Sequence, residues 1–290
     1  MNQPVDPMVD GLVRFRLDLG YDGTNFNGWA KQDGLRTVAG HLLEVLTIIY
    51  GDDADDFGLR VAGRTDAGVH ATAQVAHIDL SAKQLKRLGR AVGMVGKLND
   101  LLDPDVRVYS AEIAPAGFDA RFSATYRRYR YRIADGLAQK NPLKGNHTLW
   151  INHKLDVNLM IDAAPEFLGL QDFFSFCRPR DFGTTIRELR EITVKRNPLE
   201  ENVIEVELMA DAFAHNMVRS IVGGLKAVGE GKATRADIRA ALDAKKRAGS
   251  YKVQPAHGLT LIEIGYPADD ELANQAAITK NLRSIEENRV

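Results

Sequence analysis

An α+β fold of two β-α-β-β-α-β halves is the architecture this sequence predicts. Two observations carry that expectation. Apolar residues alternate with period two in short runs and fall at helical spacing in longer ones, and the two kinds of run follow one another in the same order twice. The chain has 290 residues, 44% of them hydrophobic and 27% charged, enough apolar material for one large domain or two ordinary ones.

Residues 12–20 set Val13, Phe15, Leu17 and Leu19 on one face against Arg14, Arg16 and Asp18 on the other, the pattern of a half-buried strand. Thr37 stands where a cap would open a helix with Val38, Leu42, Leu46 and Ile49 on its apolar face, and Gly51 stands where it would end. Short strands are expected over 57–62 and 74–80. Ser81 then opens a helix carrying Leu85, Leu88, Val92 and Val95, and a strand over 106–113 closes the first half. The second half reads as strand 126–133, helix 157–168, strands 185–195 and 203–210, helix 212–228 and strand 259–264, with longer insertions at 135–152 and 229–256. This order is that of a ferredoxin-like unit, repeated. Mainly antiparallel sheets lying side by side with a central cleft are expected. Pro115 and Gly117 interrupt the pattern between the halves. The expected domains are 12–115, 116–267 and a polar C-terminal extension over 268–290, with a short helix in it.

Composition narrows the function classes. A single cysteine, Cys177, excludes an internal disulfide framework and a cysteine-rich zinc site, and fits a reducing compartment. No apolar run approaches a membrane span, and the first eleven residues lack a signal-peptide pattern, so a cytoplasmic protein is expected. The 38 basic and 39 acidic residues leave a net charge of −1. Their distribution is uneven: Arg121, Arg127, Arg128, Arg130 and Arg132 crowd one segment, and Lys245, Lys246, Arg247 and Lys252 another. Basic stripes on an acidic body suit a phosphate-binding face, or else ordinary solvated charge.

The segment Gly63-Arg64-Thr65-Asp66-Ala67-Gly68-Val69-His70 lies between two expected strands. Its glycines permit a tight path and close approach of a ligand, and a carboxylate there can act as nucleophile, general base or metal ligand. An Asx-turn is the bland alternative for Asp66.

The octapeptide resembles the signature of the tRNA pseudouridine synthase A family, and similar companions occur in order. They are Tyr21-Asp22-Gly23-Thr24-Asn25-Phe26-Asn27-Gly28-Trp29, Phe118-Asp119-Ala120-Arg121-Phe122-Ser123-Ala124, Arg128-Tyr129-Arg130-Tyr131, Phe173-Phe174-Ser175-Phe176, a stretch from Ala212 to Gly224, and Pro255-Ala256-His257-Gly258-Leu259-Thr260-Leu261. The resemblance spans about residues 12–266. Lys31 stands where the family usually has arginine, and Asn216 and Ser220 where His and Asn are common.

The resemblance implies uridine isomerised to pseudouridine at positions 38, 39 and 40 of the tRNA anticodon arm, without cofactor or metal, by a homodimer. It implies Asp66 as the essential carboxylate, Arg219 as its cationic partner, Tyr129 packed on the target uracil, and Arg64 assisting ejection of the base from the stack. By helical spacing Asn216, Arg219, Ser220 and Gly223 share a polar stripe, and by strand alternation Tyr129 and Tyr131 share a face with Arg127 while Arg128, Arg130 and Arg132 share the other. Phe26 and Trp29 read as loop aromatics, with core packing the alternative for Trp29. His70, His77, His215 and His257 show no metal-ligand spacing.

A noncatalytic RNA-binding or RNA-chaperone module would suit the basic aromatic strand. An aspartate-nucleophile phosphatase would need Asp103-Pro104-Asp105-Val106-Arg107 to follow a strand, which it precedes. Zinc base deamination fails for want of a second cysteine.

Overall fold

The computed structural model describes residues 8–9, 11–51, 56–88, 93–179, 183–246 and 251–280. It is a mixed α+β structure whose strand pairings are mostly antiparallel. Two compact units divide it: the chain up to Thr125 together with a segment from Ile262, and Tyr126–Leu261.

In the first unit, β1 (Met8–Val9) pairs with the start of β2 (Leu12–Tyr21). Helix α1 (Val38–Tyr50) follows, then β3 (Arg60–Val61), β4 (His70–Ser81), α2 (Ala82–Leu88), α3 (Met94–Leu101) and β5 (Val106–Ile113). The pairings run β5-β2-β4-β3, all antiparallel. Local chemistry sets the helix ends as the sequence predicts. The Thr37 hydroxyl accepts from the Gly40 amide, and Gly51, at φ +84°, donates to the Thr47 carbonyl. Ser81 and Gln84 exchange side-chain and backbone bonds at the start of α2.

The second unit holds β6 (Tyr126–Ala134), β7 (Leu149–Trp150), α4 (Val157–Ala163), β8 (Gly169–Asp172), β9 (Ile186–Asn197), β10 (Val203–Ala210), α5 (Met217–Gly229) and α6 (Arg235–Ala244). Its sheet runs β6-β10-β9-β8, antiparallel throughout, with β7 parallel to β6. The strand β11 (Leu259–Gly265) spans the division, and α7 (Leu272–Lys280) follows it.

Several expectations are corrected. The strand expected over 57–62 shrinks to two residues, because Phe57 and Gly58 both take positive φ and turn the chain. The helix expected from Ser81 through Val95 is two helices, with Val92 outside the described residues. Helix 157–168 stops at Ala163 and tightens into a 3-10 turn, since Pro165 has no amide to continue it. Helix 212–228 begins only at Met217, because Asn216 sits in the left-handed region at φ +64°. The insertion 229–256 contains the unforeseen helix α6, opened by a Thr234–Asp237 capping box.

The division of the chain also differs from that expected at 115. Residues 116–125 stay with the first unit: the Arg14 guanidinium donates to the Phe118 carbonyl, and the Ala120 amide donates to His77 Nδ1. The supposed extension returns there as well. Leu272 is buried with Ala62, Val75, Ala114, Phe118 and Ala120, and Tyr266 donates its hydroxyl proton to the Ala120 carbonyl. Residues 281–290 lie outside the described part.

Candidate active site

The loop carrying Asp66 connects β3 to β4, and hydrogen bonds hold three of its carbonyls. Gly63 O accepts from Gln74 Nε2 at 2.8 Å, Thr65 O accepts from the Trp29 amide at 3.0 Å, and Asp66 O accepts from the Val69 amide at 3.1 Å. Side chains lock it from beneath: the Thr65 and Tyr21 hydroxyls lie 2.8 Å apart, and Gln74 Nε2 donates to the Tyr21 oxygen at 3.1 Å. Burial pushes the Tyr21 phenol up to about 12, so it remains a neutral donor and acceptor.

A second loop, residues 22–29, lies directly on the first. The Gly68 amide donates to Phe26 O at 3.2 Å, and the Gly23 amide donates to His70 Nδ1 at 2.9 Å. Two glycines allow this approach. A Cβ on Gly23 would stand 2.0 Å from the Val69 carbonyl oxygen, and one on Gly28, which holds φ +89°, 2.8 Å from that of Thr65. Two motifs forty residues apart in sequence therefore fold as one piece.

From this frame Asp66 projects half-buried and Arg64 exposed. Among the described residues Arg64 has no hydrogen-bond or ion-pair partner. A half-buried carboxylate beside an uncommitted guanidinium, on a backbone fixed from two sides, can receive a polar, anionic ligand.

Phe26 is not an exposed loop aromatic, and Trp29 takes the core alternative. Both are buried, and the Arg36 guanidinium lies 3.9 Å from the centre of the Phe26 ring. Arg36 also binds Asp105 and Asp103, at 2.8 and 2.7 Å. The two carboxylates of the phosphatase-like stretch thus serve as a structural clamp on one arginine.

In the second unit β6 alternates as predicted, with Arg127, Tyr129 and Tyr131 buried. Tyr131 is fully enclosed: its hydroxyl donates to Pro255 O at 2.8 Å, and Gly258 lies so close that a Cβ would meet the ring at 2.6 Å. Tyr129 keeps 7% of its surface exposed and meets Phe213 edge-on, with ring centres 5.2 Å apart. On α5, Arg219 donates Nε to Gln254 O at 2.6 Å and Nη1 to Asn216 Oδ1 at 3.3 Å. Its charge favours the ionised form of the nearby Tyr131, but burial dominates and keeps that phenol's pKa raised.

The basic stripe on β6 is not a free cationic face. Arg130 binds Glu207 at 2.8 Å, Arg132 binds Glu205 and Glu200, each at 3.3 Å, and Arg128 binds Glu191 at 2.7 Å. The first two pairs are direct cross-strand neighbours in the β6–β10 register. In the other basic segment Arg247 lies outside the described residues. Tyr21 and Thr65 lie within the quoted motifs, but neither they nor Gln74 was singled out for a role from the sequence.

A family model described as tRNA pseudouridine synthase matches residues 163–267. The tRNA pseudouridine synthase A of Leifsonia xyli subsp. xyli is 47% identical over 290 residues, covering 96% of this chain and all of that one. The proteins of the same name from Streptomyces avermitilis and Mycobacterium leprae are 44% and 43% identical, covering 97% and 96% of this chain and 97% and 98% of their own. The chain belongs to the tRNA pseudouridine synthase A family. It is an isomerase that makes pseudouridine from uridine in tRNA. A solved structure titled "Crystal Structure of a Cbf5-Nop10-Gar1 Complex" aligns at a TM-score of 0.30 and 13% identity, over 88% of the synthase and 60% of that chain, and carries no weight here. Among the described residues, no helix of the synthase is long and apolar enough to cross a membrane.

Proposed function

We propose that the synthase acts on uridines 38, 39 and 40 of the tRNA anticodon arm, with Asp66 as the catalytic carboxylate. The reaction breaks the N1–C1′ bond, joins C5 to C1′, removes the C5 proton and protonates N1, so composition is unchanged. The observation that carries the assignment is the Asp66 loop itself: a half-buried carboxylate on a loop held by hydrogen bonds at the Gly63, Thr65 and Asp66 carbonyls, flanked by an exposed arginine that has no hydrogen-bond or ion-pair partner among the described residues. Arg219 serves as the ion partner of Asp66. Tyr129 stacks on the target uracil, a contact worth ~1–3 kcal/mol; its residual exposure, against the enclosure of Tyr131, supports that choice of tyrosine. Arg64 enters the stem as the base leaves it.

The finer architecture is part of the same reading. Each unit is a ferredoxin-like half, supported by the β5-β2-β4-β3 order in the first and the β6-β10-β9 order in the second. The synthase works as a cytoplasmic homodimer, without metal or cofactor.

Incubation with unmodified tRNA, followed by chemical mapping of pseudouridine, tests site and residue together. The expected result is label at 38–40 with the wild type and none with Asp66→Asn, whose tRNA affinity stays within about threefold; a loss of at least ~10³-fold in rate is expected if the carboxylate does the chemistry. Label elsewhere in the tRNA, or turnover by Asp66→Asn, overturns the assignment.

A further inference from the structure

Beneath the Asp66 loop lie three linked polar side chains: Tyr21 on β2, Gln74 on β4 and Thr65 in the loop, with Gln74 fully buried. Their hydrogen bonds have a forced direction. The Gly63 carbonyl can only accept, so the Gln74 amide nitrogen, not its oxygen, faces it at 2.8 Å. The second N–H of that nitrogen points to the Tyr21 oxygen at 3.1 Å. The phenol proton then has one acceptor among the described residues, Thr65 Oγ1 at 2.8 Å. The chain runs from Gln74 through Tyr21 to Thr65, and it grips the loop at Gly63 and Thr65, on either side of Arg64 and immediately before Asp66.

Stability alone does not call for such a chain. Replacing buried polar partners with apolar groups of the same shape is often neutral, whereas leaving one unpaired costs ~1–3 kcal/mol. What a fully satisfied buried network supplies is a unique geometry. Buried His70 accepts from the Gly23 amide in the second loop, whereas His77, which accepts from the Ala120 amide, is bonded to neither loop among the described residues.

We propose that Tyr21 and Gln74 are positioning residues for pseudouridine formation, holding Asp66 in its reactive place through Thr65 and Gly63. This rests on the assignment of Asp66 as the catalytic carboxylate. Neither residue touches substrate; each acts through the loop.

The test measures three quantities for each variant of the full chain: single-turnover rate on unmodified tRNA at saturating enzyme, tRNA dissociation constant, and thermal midpoint. Tyr21→Phe and Thr65→Val each slow the single turnover by about 10–100-fold, the scale of a displacement near 1 Å, with unchanged tRNA affinity. Thr65→Ser, which keeps the hydroxyl, restores the rate to within about twofold of wild type. The double variant is no slower than the slower single one, because both break the same chain. Gln74→Leu behaves likewise where it folds; where it does not, the Tyr21 and Thr65 variants decide. Wild-type rates in Tyr21→Phe, a loss matched by weakened tRNA binding, or Thr65→Ser as slow as Thr65→Val overturns the proposal. Asp66→Asn separates the two layers. If it is dead while Tyr21→Phe is fully active, positioning alone is wrong; if it is active, the assignment of the carboxylate falls too.

Discussion

Strand β6 and the Asp66 loop both carry arginine in the sequence, and the structure treats those arginines in opposite ways. On β6, Arg128, Arg130 and Arg132 each face glutamates delivered by β9 and β10 or the turn between them, residues at least sixty positions away. In the loop, Arg64 stands exposed and unpaired among the described residues. Local sequence charge is therefore a poor guide to where a polyanion would bind. A strand segment with many arginines can be electrically spent inside its own sheet, while one arginine on a glycine-flanked turn stays available.

The sharpest way to break this contrast is to remove one arginine from each region. Arg64→Ala lowers turnover by about 10–100-fold if its guanidinium takes part in positioning the nucleotide, and reduces the slope of log affinity against log salt by about one if it also meets a phosphate. Arg130→Ala leaves both unchanged, and unfolding in urea shifts by no more than about 1 kcal/mol, as for other partly exposed pairs. Equal effects of the two variants on tRNA binding would erase the distinction.

A second prediction concerns the charged cluster around His77 in the first unit. Burial, then the Arg14 charge, lowers this imidazole to about 4, below its ordinary 6.5. The folded chain therefore binds fewer protons here than the unfolded one as pH falls through 6.5, so stability declines from pH 6.5 towards pH 4. Urea midpoints across that range should fall for the wild type and less steeply for His77→Gln. A flat wild-type profile would place His77 outside the set of buried, neutral groups.

The smallest effect sharpens the comparison from the acidic side. Glu207→Gln releases Arg130 without removing it, and should raise tRNA affinity about twofold at low salt, with the gain vanishing as salt rises. Filter binding at two ionic strengths checks it; no gain at low salt would mean that this face is out of reach of the RNA.

What the sequence made legible was local. Thr37 and Gly51 mark a helix because capping bonds reach only a few residues. The alternation in β6 sorts tyrosines from arginines because a strand has two faces. What it hid was imposed from afar. Phe26 and Trp29 are buried because a loop forty residues on lies against them, Arg130 is neutralised by a strand seventy residues on, and the helix expected from Ala212 waits for Met217 because Asn216 adopts a left-handed turn. The motif containing Asp66 was visible; the Gln74–Tyr21–Thr65 support beneath it was not, since Tyr21 and Thr65 sit in two separate motifs and Gln74 in neither, and only the sheet brings the three together.

The return of Leu272 to the core formed by Ala62, Val75, Ala114, Phe118 and Ala120 has a consequence for biosynthesis. A nascent polypeptide exposes residues 11–125 well before that leucine leaves the ribosome, so the unit bearing Asp66 waits with an open flank while the following 136 residues, Tyr126–Leu261, are translated and fold. Maturation of the unit bearing Asp66 is thereby timed to the synthesis of residues beyond Leu261.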